Sequence, residues 1–186
     1  DLDTQLMLAR FHWNLRQFAA AKKSTQQALK LSKNDPQANL LAGRLYHYDH
    51  DFDKAIQYFK NVDLDDPSGS VSEDLKRNAR QHLMYALAAD GSPEGIEEAI
   101  MMADTGTDLP SLVAQCYAYK RAGKNEKALA TLQAAQHSTQ DPNTNYIFAY
   151  VLADEVSADK VMPLLESSLA TDGLFVFRRD AEQLKS

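Results

Sequence analysis

The sequence predicts an all-α chain built from stacked helical hairpins, and three observations carry that prediction. Apolar residues recur at helical spacing throughout, while strict alternation at period two is nowhere sustained long enough for a strand. The segment from Pro36 to Asp66 reads as two short amphipathic helices facing each other. Gly43 and Ala55 are small where the helices would touch, and Leu40, Tyr46, Phe52, Phe59 and Val62 supply bulk. Sliding that segment back by 34 residues sets Ala9 under Gly43, Arg10 under Arg44, Phe18 under Phe52, Ala21 under Ala55 and Ala28 under Val62. A hairpin this short cannot bury its own apolar faces, so a recurring hairpin implies stacking on its neighbours.

The first pair runs from about Leu2 to Leu15 and from about Phe18 to Leu31, with Leu6, Arg10, Trp13 and Asn14 along one side of its first helix. The turn chemistry of Ser32-Lys33-Asn34-Asp35-Pro36 ends it. The second pair is the segment from Pro36, closed by Asp66-Pro67. After Pro67 the register breaks. Ser68-Gly69-Ser70-Val71-Ser72 is a linker with a helix start signal, and the helix that follows runs from about Glu73 through Ala89. Gly43 to Ala86 is 43 residues instead of 34, an insertion of one loop and two helical turns. Asp90-Gly91-Ser92-Pro93 turns the chain into a helix from Glu94 to Ala103, with Ala99 and Ala103 on its close-packing face.

In the fourth pair Leu109-Pro110-Ser111-Leu112 leads into a helix from Val113 to Ala122, Gly123 terminates it, Lys127 to Gln136 forms the second helix, and Asp141-Pro142 closes the unit. The fifth runs Asn145 to Asp154 and Ala158 to Leu169, where Pro163 calls for a kink or a later start near Val161. Gly173 ends it. Leu174-Phe175-Val176-Phe177 then begins a last helix through Arg178-Arg179-Asp180-Ala181-Glu182, whose apolar start is expected to cover the end of the stack.

The order of small residue, aromatic, alanine and small or apolar residue within a 34-residue period resembles the tetratricopeptide repeat family. Gly43, Tyr46, Phe52, Ala55, Phe59 and Pro67 stand in that family's register, and Cys116, Tyr119, Gly123, Ala128, Leu132 and Ala135 fall on matching positions of the fourth unit. The resemblance implies a right-handed α-solenoid, a superhelix of antiparallel helix pairs, forming one domain over residues 1–186. Its approximate repeats would be 2–35, 36–69, 73–107, 109–142 and 143–172, with a C-terminal capping helix at 174–185. The fold names no partner.

Composition bounds the function. A formal net charge of −6 and a pI near 5.3 lack the basic footprint of a general nucleic-acid or anionic-membrane binder. No apolar run approaches membrane-spanning length. The single cysteine, Cys116, excludes an intramolecular disulfide but does not settle the compartment; the cytoplasm is slightly favoured, with the periplasm open if a signal segment was removed. The chain opens on Asp1 without Met or an apolar leader, as expected of a processed chain or a piece of a longer one.

Catalytic motifs are missing from the sequence. It contains no Gly-rich phosphate loop, no Gly-x-Ser-x-Gly and no His-Glu-x-x-His, so no enzyme activity and no cofactor are expected. The densest polar cluster, His47-Tyr48-Asp49-His50-Asp51-Phe52-Asp53, imitates the start of a calcium loop. Lys54 stands where that loop needs Gly and Lys60 where it needs Glu, so the cluster reads as a solvated turn and no metal is expected. Cys116 falls at a small, buried helix-packing position, where a thiol behaves as an inert hydrophobe.

In the family the sequence resembles, first helices line a concave groove. Carried onto this chain, the groove positions are Arg10, Trp13 and Asn14; Arg44, His47 and Tyr48; Arg80; Tyr117, Lys120 and Arg121; and Tyr146 and Tyr150. A cationic and aromatic face on an acidic chain suits a protein or peptide partner bearing acidic or aromatic side chains. The expected function is therefore a protein interaction scaffold or adaptor. A helical-repeat RNA binder is the alternative that the charge disfavours. A recruiting segment of a larger enzyme or of a secretion or assembly machine is another. The co-chaperone clamp known in the family does not fit, because Leu6 and Arg10, then Leu40 and Arg44, occupy its Lys/Asn positions. Oligomeric state is left open.

Overall fold

The computed structural model describes residues 1–104, 106–135 and 141–186. Those residues form helices α1 (Leu2–Asn14), α2 (Phe18–Leu31), α3 (Pro36–Tyr48), α4 (Phe52–Lys60), α5 (Glu73–Asp90), α6 (Pro93–Ala103), α7 (Leu109–Arg121), α8 (Asn125–Ala134), α9 (Pro142–Leu152), α10 (Ala158–Leu169) and α11 (Arg178–Lys185), with no strand among them. Gln136, where the sequence reading ends α8, lies outside the described residues.

Most first helices start with an acidic or hydroxyl cap. The Asp35 carboxylate accepts from Ala38 N at 2.8 Å, Asp108 from Ser111 N at 2.9 Å and Asp141 from Thr144 N at 2.8 Å. Each cap precedes a proline in the first turn, whose missing N–H is one of the orphan donors in any case. This corrects two boundaries. Leu109-Pro110-Ser111-Leu112 is the first turn of α7, not a lead-in to Val113. Asp141-Pro142 opens α9 ahead of Asn145 and does not close the preceding unit. Asp-Pro-x-x-Asn occurs twice, and both asparagines are buried. The Asn39 amide donates to Lys33 O at 2.9 Å and accepts from Asn61 at 3.2 Å; that of Asn145 donates to Ser167 Oγ at 3.0 Å. Each ties its first helix to the end of the second helix in the same pair.

The turns inside the hairpins repeat as well. Arg16 (φ 58°) and His50 (φ 61°) are the non-glycine residues with left-handed backbone among the described residues, and they stand 34 positions apart. Gly91 (φ 81°) and Gly123 (φ 70°) do the same work after α5 and α7. Helix α10 has the expected bounds, Ala158–Leu169, and takes in Pro163 without a later start; the bond forgone is to the carbonyl of Asp159, an exposed residue. One further expectation is corrected. Leu174–Phe177 is not helical, and α11 begins at Arg178. The Phe-Val-Phe run has weak helix propensity, and its three side chains are all buried.

Two compact units are resolved. The first comprises Asp1–Leu83 and Asp172–Leu174. Its core joins Ala9 and Trp13 of α1, Ala21 of α2 and Leu41, Leu45 and Tyr48 of α3, with Phe18 and Leu174 packed against them. Gly43 lets α4 approach α3 closely: a Cβ there would lie within 2.8 Å of three ring carbons of Phe59. The second comprises Met84–Thr171 and Phe175–Ser186. It is centred on aromatic rings from α5, α7, α9 and the Phe175–Phe177 segment.

Candidate partner-binding faces

In the first unit, helices α1, α3 and the start of α5 present the residues of interest. Arg10 is exposed and donates to Gln37 Oε1 at 2.8 Å; Asn14 and Arg80 are exposed; Arg44 is half-buried. Trp13 is 2% exposed and Tyr48 7%. Their rings meet edge to face at 5.5 Å, and Phe18 contacts both, at 5.2 Å from Trp13 and 4.3 Å from Tyr48. The open aromatic surface expected at Trp13 and Tyr48 is therefore absent. Positions four and five after the small residue face the adjacent hairpin, where large rings fill the space between repeats.

His47 is also buried, edge-on to Phe52 at 5.4 Å, while His82 stacks on Phe59 at 5.8 Å. Burial lowers the His47 imidazole to about 3, with the nearby His50 and Arg44 charges adding to the effect. Burial likewise holds His82 well below its ordinary range, reinforced by Arg44 and His47. Both rings are neutral at pH 7. The rest of the His/Asp cluster is turn structure: Asp51 caps α4 through Lys54 N at 3.4 Å, Asp49 pairs with Lys22 of α2, and His50 supplies the left-handed residue. Among the described residues no three His, Cys, Asp or Glu side chains gather as a metal site.

The second unit holds the remaining sequence-predicted residues, and they are engaged internally. Tyr117 and Tyr146 are each 4% exposed. Phe177 stacks on Tyr146 at 4.9 Å and meets Tyr117 at 5.2 Å and Tyr85 at 5.4 Å, while Phe175 lies 6.4 Å from Tyr146. Half-buried Tyr150 stacks on Tyr146 at 6.0 Å. The chain's own C-terminal strap thus occupies the ring cluster that the sequence reading assigned to a partner. Arg178 anchors that strap, donating to the carbonyls of Leu169 at 3.3 Å and of Thr171.

Lys120 is nearly buried and its ammonium donates to Asp154 at 2.9 Å. Arg121 caps the end of α5, donating at 3.1 Å to the carbonyls of both Ala88 and Ala89. Gly91 makes room for it: a Cβ there would sit 2.8 Å from the guanidinium. The sequence reading expected the apolar run before Arg178 to cover the end of the stack; that Phe175 and Phe177 do so by filling the tyrosine cluster is what it did not give.

Cys116 has no accessible surface, and burial pushes its thiol up to about 12. At pH 8 the thiol should resist an aromatic disulfide reagent in the folded protein and react at once in guanidinium. Rapid labelling without denaturant would show that the α7 face opens.

These features define an all-helical repeat protein. Residues 2–35 match the model of the tetratricopeptide repeat. The crystal structure of a thermophilic TPR protein from Thermus thermophilus superposes with a TM-score of 0.70 at 18% identity, covering 99% of this chain and 98% of that one. No curated protein matches the sequence. The match over residues 2–35 and the superposition together give the chain the fold of a tetratricopeptide repeat protein, an all-helical α-solenoid. No helix among the described residues is long and apolar enough to cross a membrane.

Proposed function

We propose that the chain is a protein interaction scaffold that grips an acidic, extended segment of a partner on the first-helix face of its N-terminal unit. The observation that carries this reading is the recurrence of arginine. Arg10 and Arg44 stand at equivalent positions of α1 and α3, and Arg80 follows on α5, in a chain whose net charge is −6. Arginine forks hold carboxylates in bidentate geometry, and charge-assisted bonds of this kind contribute about 1.5–3 kcal/mol each. Lys120 and Arg121 are committed to Asp154 and to the end of α5, which favours the N-terminal unit as the gripping surface.

Selection from a displayed library of unstructured peptides tests the proposal. Enriched sequences should be rich in Asp and Glu, and a protein carrying Arg10→Glu with Arg44→Glu should fail to enrich them. Enrichment of neutral or basic sequences, or enrichment indifferent to the two substitutions, would overturn it.

A further inference from the structure

Helix α1 is apolar on two opposite sides. Leu6, Ala9 and Trp13 face the core. About half a turn away, Met7, Leu8, Phe11 and Leu15 form a second stripe at helical spacing, and it lies open: Met7 is 71% exposed and Phe11 57%. A helix apolar all round is ordinarily covered all round, and four large apolar side chains on one face are more than scattered surface residues.

The internal repeat says what kind of structure covers such a face. Shifting by 34 residues carries Met7, Leu8 and Phe11 onto Leu41, Ala42 and Leu45 of α3, all buried. Leu41 and Leu45 pack on Ala9, Trp13 and Ala21 of the preceding hairpin, and Ala42 and Leu45 lie beside Lys22, Thr25 and Leu29 of α2. The stripe on α1 is the same face one repeat earlier. In α3 its cover is a helix with small residues about every fourth position, Ala21, Thr25 and Ala28.

Charge at the edges of the stripe selects among such helices. Exposed Arg10 borders it on one side. On the other side an open groove of about 540 Å³ is lined by Gln5 and His12 of α1 and by Ala20, Lys23, Ser24 and Gln27 of α2. The cations on both flanks complement carboxylates at the margins of an incoming apolar face.

We propose that the outer face of α1 is a docking site for an amphipathic helix of a partner protein, with small residues on its apolar face and carboxylates along its edges. The site shares Arg10 at its edge with the arginine-lined face, but Met7 and Phe11 belong to it alone and Arg44 to the other, so substitutions at those residues let either fail without the other. A displayed library of helices randomised on one face is the probe. Selected helices should carry an apolar stripe edged by Asp and Glu, and Met7→Gln with Phe11→Gln should weaken their binding at least about tenfold while circular dichroism stays unchanged. Those substitutions should leave the acidic extended peptides described above bound as before. Failure to select any helix, or selected helices that bind the double variant equally well, would overturn the proposal. A concentration-dependent dimer abolished by Phe11→Gln would also overturn it, by assigning the face to a second copy of the chain.

Discussion

Replacing Phe177 by alanine is expected to destabilise the C-terminal unit by about 3–5 kcal/mol, the usual cost of removing a buried Phe ring. The ring is 1% exposed and contacts one tyrosine from each of α9, α7 and α5, at 4.9, 5.2 and 5.4 Å. Such ring pairs add about 0.5–1.5 kcal/mol each beyond the area they bury. Domain stability is only about 5–15 kcal/mol, so the loss is a large part of the total. Urea unfolding followed by far-ultraviolet circular dichroism would measure it, with Phe177→Leu as the milder comparison. A loss below about 1 kcal/mol would mean that the strap does not pin the three first helices together.

Acid should weaken the N-terminal unit well before its carboxylates titrate. His47 and His82 are buried and neutral, with folded-state pKa values below the ordinary 6.5. A depressed imidazole pKa means that the unfolded chain binds the proton more readily than the folded one. The stability these rings contribute is complete above pH 6.5 and falls as pH drops towards the folded values. Each proton taken up costs about 1.4 kcal/mol per pH unit, so His47, held at about 3, should remove about 3 kcal/mol by pH 4.5, and His82 acts in the same direction. Asp66, held at about 2 by the Ser68 hydroxyl and the Val71 N–H, stays ionised through that range. The chain's one tryptophan, Trp13, lies in the core of this unit and reports its unfolding by fluorescence. Replacing either histidine by glutamine should flatten the slope of stability against pH between 6.5 and 4.5. An unchanged slope would place the titration elsewhere.

The helices were legible because periodicity and turn residues agree along most of the chain; α2 and α10 have the ends the sequence implies. The starts of α7 and α9 were misread for local reasons: Leu109-Pro110 and Asp141-Pro142 carry proline, which can end one element or sit in the first turn of the next, and only the Ser111 and Thr144 amide bonds reveal which. The face of each first helix was harder. Helical spacing places Trp13 and Tyr48 on one side of their helices but cannot separate a groove from the seam between repeats, and both rings lie in the seam. The destination of Phe177 depends on contacts with Tyr146, Tyr117 and Tyr85, which are 31, 60 and 92 residues away in sequence, beyond the reach of any local pattern.

The most direct test of the scaffold reading is a titration of a fluorescent acidic peptide, taken from the selection, into the wild-type protein and into the Arg10→Glu, Arg44→Glu variant. Each lost arginine contact should weaken binding at least about tenfold, and the wild-type affinity should fall with added salt. Equal affinity for both proteins, independent of salt, would contradict the assignment of the arginine face as the binding surface.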